Sequence, residues 1–354
     1  MTTKLKLTDW LLKVKYLDYV KPSAANGTVR AIYVQADREF GLAADPIVVH
    51  SPLPALLGAF WEFGRETVLV CQRATRLEKE SIIAAVSVSN TCPFCVDAHT
   101  IFAASLSDGG LASAIERREF DRISDARLRG LVEWGYASRQ PQDEVVIRPP
   151  FSAEQAPELI GTAVLFHYIN RIVTVFVSGT RLPLNGSRDW VRRLGAIAMR
   201  LVTRQAIRPG RTVLDEASRP TAVPEWCEAD ARIGDRFGRF ESELDALAKR
   251  HLAVDVRECV AAHIASWRGG DPELGRGWLE PLVAGLSKRD AAQARLALLA
   301  AIAPHQIDDD IVGRFRAHDG SDAALLTTVA WPALGAALRI GAWLTASMAS
   351  ARAN

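Results

Sequence analysis

The sequence predicts an all-α fold. Apolar residues recur at three- and four-residue spacing along most of the 354-residue chain, the period of an amphipathic helix. No stretch alternates apolar and polar residues as a half-buried strand does. No glycine-rich phosphate loop breaks the helical pattern.

Taken in order, the first clear run is SPLPALLGAFWEFGRETVLV, residues 51–70, with Ser51-Pro52 as its expected start. KESIIAAVSVS comes next, at 79–89. VVIRPP, at 145–150, is the one piece expected to be extended. APELIGTAVLFHYINRIVTVF, at 156–176, reads as a long helix introduced by Ser152 and Glu154, and RDWVRRLGAIAMRLVTRQAI continues the pattern over 188–207. Residues 208–226 concentrate proline, glycine and small polar residues and form the expected linker. Two helical modules are therefore expected, 1–211 and 212–354.

The two modules echo one another. QARLALLAAIAPHQI, at 293–307, matches the pattern of KESIIAAVSVSNTCPFC, and DAALLTTVAWPALGAALRIGAWL, at 322–344, matches the helix at 156–176. Arg339 then stands where Arg171 does, and Pro304 and Ile307 stand where Cys92 and Cys95 do. This pattern predicts an internal duplication whose second copy is degenerate. The two most apolar stretches contain these arginines and read as buried helices rather than membrane spans.

Composition narrows the function classes. The net charge is +2, which gives no general argument for a nucleic-acid or membrane partner. Five cysteines in so long a chain do not make a secreted disulfide scaffold. The start, MTTKLKLTDWLLKVKYL, has no uninterrupted hydrophobic core or small-residue cleavage site. A reducing cytoplasm is the expected compartment, where a CxxC is more often redox-active or metal-binding than structural.

The chemistry concentrates in SNTCPFCVDAHT, residues 89–100. On a helix, Cys92, Cys95 and His99 fall on one face. Ser89, Asn90 and Thr91 offer capping side chains, and Pro93 suits a first helical turn. The helix N-terminus favours thiolate over thiol. His99 lies one turn beyond Cys95 and can take its proton, and Cys92 can then attack an oxidised Cys95 to close a disulfide. Upstream, Glu80 sits in an otherwise apolar run, as the solvated edge of its helix or as a relay partner; by itself it reads as the solvated edge. Glu78 and Lys79 read as surface.

Glu80, eleven residues, Cys92-Pro93-Phe94-Cys95, three residues and His99 together resemble the AhpD-like alkylhydroperoxidase branch of the carboxymuconolactone decarboxylase superfamily. Flanking segments over roughly residues 45–180 are similar as well. The resemblance implies an all-helical AhpD-like fold and a dithiol centre that reduces peroxides or disulfides. It implies that Cys95 is the peroxidatic thiol, that Cys92 resolves it, and that Glu80 and His99 relay protons through water. Two features depart from the pattern. Phe94 stands where the best-known members carry a histidine, and the chain is about twice the length of a single module.

Other assignments stay open beside this one. Cys92, Cys95, His99 and Glu80 also make a four-ligand zinc set, which would leave a helical binding or scaffold protein; no second CxxC or HxxxH accompanies it. The lactone decarboxylase chemistry of the wider superfamily would leave the CxxC unexplained. Cys71, Cys227 and Cys259 read as small buried hydrophobes, His50 and His167 as core or capping residues, and Phe60 and Trp61 as core. The run Arg188, Arg192, Arg193, Arg200, Arg204, Arg208 and Arg211 reads as a solvated helix face, or as a dock for an acidic reductant protein. The expected partners are a hydroperoxide substrate, a dithiol or lipoyl-type protein reductant and further copies of the chain, with no nucleic acid, membrane, metal or organic cofactor.

Overall fold

The computed structural model describes residue 9 and residues 12–107, 110–179, 188–210 and 223–353, with no side-chain description at 188–189 and 347–353. Among these residues the regular structure is helical, apart from one antiparallel bridge between Val14 and Val177. The all-α expectation holds. The principal helices of the first half are α1 (Gly27–Glu39), α2 (Pro54–Gly64), α3 (Arg76–Ser89), α4 (Pro93–Leu106), α5 (Ala126–Ala137), α6 (Ala156–Phe176) and α7 (Arg188–Thr203). Beyond residues 211–222 come α8 (Ala231–His251), α9 (Val254–Ser266), α10 (Lys288–Ile302), α11 (Asp309–Arg316) and α12 (Asp322–Ala353).

The two longest apolar helices, α6 and α12, pack against each other at the centre. Both are long and apolar enough to cross a membrane, yet 94% and 72% of their apolar windows are buried inside the fold. They are core helices: neighbours cover α6 on nearly every side and leave one edge of α12 partly exposed. α3 covers another side of α6, with α4 and α5 outside it, and α10 and α9 layer onto α12. Close approach needs a missing side chain: a Cβ on Gly341 of α12 would stand 2.9 Å from Val164 Cγ2 of α6.

The expected module boundary falls outside the described residues. On either side of it, residues feed one continuous apolar core. Phe237 of α8 meets Phe63 edge to face with ring centroids 5.2 Å apart, and Phe240 meets Tyr168 at 5.2 Å. A buried ion network crosses the same seam: Arg232 pairs with Glu66 at 2.6 Å, Glu66 with Arg65, and Arg65 with Glu39 at 2.6 Å.

The echoing segments share an apolar helix and a break after it, and they differ in the next element. After α3 the chain opens the 14-residue α4 at Pro93. After α10 it makes a single 3-10 turn, Pro304–Gln306, passes through an extended Ile307, and forms the eight-residue α11. The two echoing arginines converge on Trp267. Arg171 lies over its ring and donates to Ala301 O at 2.7 Å, while Arg339 donates to the Trp267 carbonyl at 3.4 Å.

Several local expectations are corrected. α2 starts at Pro54 rather than at Ser51, whose hydroxyl instead accepts from the Val20 N–H at 2.8 Å. α6 starts at Ala156, after a turn through Ser152–Gln155. Residues 145–147, the start of the stretch expected to be extended, lie in a single helical turn, Glu144–Ile147, because the Asp143 carboxylate caps the Val145 N–H at 3.0 Å. Lys79 is fully buried, where it donates to Val70 O at 2.7 Å and pairs with Glu158 at 2.5 Å.

Gly341→Leu tests the central contact. Forcing side-chain volume between α6 and α12 should lower stability by about 1–3 kcal/mol, read from the urea midpoint. An unchanged midpoint would show that the two helices part without cost.

Candidate functional site

The site is built on the junction of α3 and α4. A capping box fixes the start of α3: the Thr75 hydroxyl accepts from Glu78 N at 3.2 Å, and Thr75 N donates to the Glu78 carboxylate at 2.7 Å. This sets Arg76 in the first turn and Glu80 four residues on, the spacing at which helix side chains meet. Arg76 Nε donates to Glu80 Oε1 at 2.7 Å. The other oxygen, Oε2, lies 2.6 Å from His99 Nδ1 on α4. Glu80 has no exposed surface, so the expectation of a solvated edge is corrected.

Electrostatics decide how this chain is protonated. Burial works to raise the Glu80 pKa, but the charges and hydrogen bonds of Arg76 and His99 outweigh it, and the carboxyl is held below its ordinary value. An ionised Glu80 accepts from Nδ1–H of His99. Nε2 is then the imidazole nitrogen able to take a proton.

The turn between the helices carries the dithiol. Asn90 closes α3, and its side chain donates to His167 Nδ1 and Asn170 Oδ1 of α6, both at 2.9 Å. Thr91 has φ 52°, a left-handed backbone that costs a non-glycine residue about 1–2 kcal/mol. The fixed residues on both sides hold it there, since Cys92 N donates to Ser87 O at 3.0 Å. None of Ser89, Asn90 or Thr91 caps α4. The N-cap position belongs to Cys92 itself, and Pro93 takes the first turn as expected.

Cys92 and Cys95 are both buried, and neither is in a disulfide. Their surroundings differ. Cys95 and His99 line a cavity of about 310 Å³, whereas Cys92 and Glu80 do not. The cavity is almost wholly apolar, walled by Phe60 and Trp61 of α2, Phe94 and Phe102 of α4, Phe166 of α6 and Met199 of α7. Phe60 and Trp61 are core residues, as expected, and they also form this wall. The His99 ring is held edge to face by Phe166, at 4.6 Å, and Phe102, at 5.4 Å.

The arrangement also bears on the other expectations. Among the described residues no three His, Cys, Asp or Glu groups converge as a metal-ligand set, because Glu80 turns to Arg76 and His99. His50 is buried between Pro46 O and the Tyr168 hydroxyl, each 2.7 Å away, and burial lowers its pKa to about 4. His167 is likewise buried, and burial with nearby Arg171 and Arg139 holds it neutral. Cys227 is buried and Cys259 half-buried, but Cys71 is exposed. In the arginine run, Arg192 is buried and paired with Glu116, while Arg193, Arg200, Arg204 and Arg208 are exposed. Arg211 and the side chain of Arg188 lie outside the described residues. Sequence reasoning missed Arg76, although its i,i+4 spacing to Glu80 was visible. It also missed α7 as a cavity wall, for which the sequence carries no local signal.

Comparison with known proteins finds a protein of Mycobacterium tuberculosis named an alkyl hydroperoxide reductase. The two are 35% identical over 339 residues, which is 94% of this chain and 96% of that protein. No family model matches the sequence, and no solved structure matches it.

The Glu80 ion chain makes a prediction about acid stability. A carboxyl whose folded pKa is depressed contributes stability that is complete above its unfolded value, about 4.3, and is lost as the pH falls through the lower folded value. Glu80→Gln should cost about 3 kcal/mol at neutral pH and flatten the loss of stability below about pH 4.3. Urea unfolding from pH 3 to 7 reads both. An equal acid slope in both proteins would show that Glu80 is not ionised in the fold.

Proposed function

The chain belongs to the AhpD-like alkylhydroperoxidase branch of the carboxymuconolactone decarboxylase superfamily, and on that premise we propose that it is a thiol-dependent peroxidase acting on organic hydroperoxides. One observation carries the assignment: Cys95 and His99 face one apolar cavity while Glu80, 2.6 Å behind His99, faces away from it. A thiol, a base and an orienting carboxylate in series are what an activated nucleophile needs.

The reaction then takes two steps. His99 Nε2 takes the Cys95 proton, and the thiolate attacks the distal oxygen of the hydroperoxide. The S–O bond forms as the O–O bond breaks, and the alkoxide leaves as an alcohol with the proton from His99. Cys95 is then a sulfenic acid. Cys92, one turn earlier at the N-cap, attacks that sulfur, so that an S–S bond forms and water leaves. Two thiols and one hydroperoxide have become a disulfide, an alcohol and water. A dithiol or lipoyl-type donor restores the pair by exchange.

The cavity supports an organic substrate over hydrogen peroxide. Its walls provide almost no polar contact beyond Cys95 and His99, and apolar surface favours an alkyl group at about 25 cal/mol per Å² buried. Phe94, where the best-known members carry a relay histidine, adds to that wall. The single relay through His99 is therefore asked to do all the proton transfer.

The two cysteines should separate in single-turnover assays with an organic hydroperoxide. Cys95→Ser should consume none. Cys92→Ser should consume one equivalent and stop as a sulfenic acid, trappable with a dimedone-type probe. The reverse pattern would exchange the roles, and full activity in both variants would exclude the dithiol mechanism.

A further inference from the structure

Among the described residues, helix α7 buries one face and leaves the other exposed. Its inner face packs on α4, where a Cβ on Gly195 would meet Ile101 Cγ2 at 3.2 Å and the Thr203 hydroxyl meets the Ser105 hydroxyl at 2.8 Å. On the outer face Trp190, Leu194, Ile197 and Leu201 are 63%, 48%, 63% and 88% exposed. At about 100° per residue these four fall within about 60° of one another, one continuous stripe. Eight large apolar side chains are exposed among the described residues, and half of them are in this stripe.

The stripe has a basic border. Arg193 and Arg200 project along one flank and Arg204 stands at the helix end; all are exposed, and none is in an ion pair among the described residues. An apolar stripe with a tryptophan, bordered by arginines, is the pattern of a helix lying in the plane of a membrane interface. We propose that the outer face of α7 docks on an anionic phospholipid surface, with Trp190, Leu194, Ile197 and Leu201 at the acyl boundary and the arginines among the headgroup phosphates. This revises the expectation, drawn from net charge, that no membrane is a partner.

Charge and placement favour a lipid surface over a second copy of the chain. A two-fold contact through this face with the helices antiparallel would set the arginine flank against its own copy. A head-to-tail contact would need a complementary apolar patch elsewhere. The other exposed large apolar residues, Ile147, Val223, Val254 and Leu274, lie on four separate segments. The same helix walls the cavity through Gly195, Ala198 and Met199, and Ala198 is also exposed. A docked bilayer would thus meet the cavity rim and could supply hydroperoxides with long apolar tails. That last step rests on the proposed peroxidase activity; the docking does not.

Sedimentation of the full chain with phosphatidylglycerol–phosphatidylcholine vesicles and with pure phosphatidylcholine vesicles tests the docking. Wild type should bind the anionic vesicles, more weakly as salt rises, and should leave the neutral ones unbound. Leu194→Glu with Leu201→Glu should abolish binding while the circular dichroism stays unchanged. Arg193→Gln with Arg200→Gln should weaken it roughly tenfold or more. Wild type that ignores both vesicles while still consuming hydroperoxide would overturn the docking and leave the peroxidase intact. Self-association of wild type, lost in the Leu194→Glu, Leu201→Glu variant and unaccompanied by vesicle binding, would make the face a subunit interface instead.

Discussion

A fully buried carboxylate governs the arrangement around the dithiol. Glu80 has no exposed surface, so both of its oxygens must be matched by donors. Arg76, one turn away on the same helix, takes one oxygen, and His99, on the next helix, takes the other. The second of these bonds ties α3 to α4. It fixes the rotation of α4 and with it the direction in which Cys95 faces. Everything between the two contacts then has little freedom: the short turn, the left-handed Thr91 and the N-cap position of Cys92 all span a fixed distance.

The rest of the molecule anchors and buries that junction. The Asn90 amide anchors the turn to His167 and Asn170 of α6, and α6 in turn is packed against α12. Among the described residues, the second half of the chain contributes none to the cavity wall. It supplies the aromatic contacts of Phe237 and Phe240 behind α2 and the long helix behind α6. Its role in the site is mechanical support. α7 closes the cavity from the other side, and its small residues let it lie close to α4.

Much of this was legible in the sequence. Helical periodicity identified α3, α6, α7, α10 and α12, because each carries an apolar stripe, buried in all but α7, and the period of such a stripe is local information. The CxxCxxxH spacing placed Cys95 and His99 on one face for the same reason. Helix starts were less legible. Ser51 and Ser152 look like caps, but tertiary partners decide where the first turn closes. Glu80 and Lys79 were misjudged as surface because a charged residue on a helix is usually solvated. Their burial depends on Arg76, His99 and Glu158, and two of those partners lie on other helices. The cavity was not legible at all, since its walls come from helices far apart in the sequence.

The central claim is that the Glu80–His99 pair activates Cys95 rather than merely holding α4 in place. The pH dependence of Cys95 alkylation, followed by mass spectrometry of the 92–95 peptide in wild type and in His99→Ala, tests it most directly. If His99 is the base, the reactivity profile of Cys95 in the variant moves to higher pH, because the neighbouring proton acceptor is gone. Superimposable profiles would contradict the account and reduce His99 to a structural bridge between the two helices.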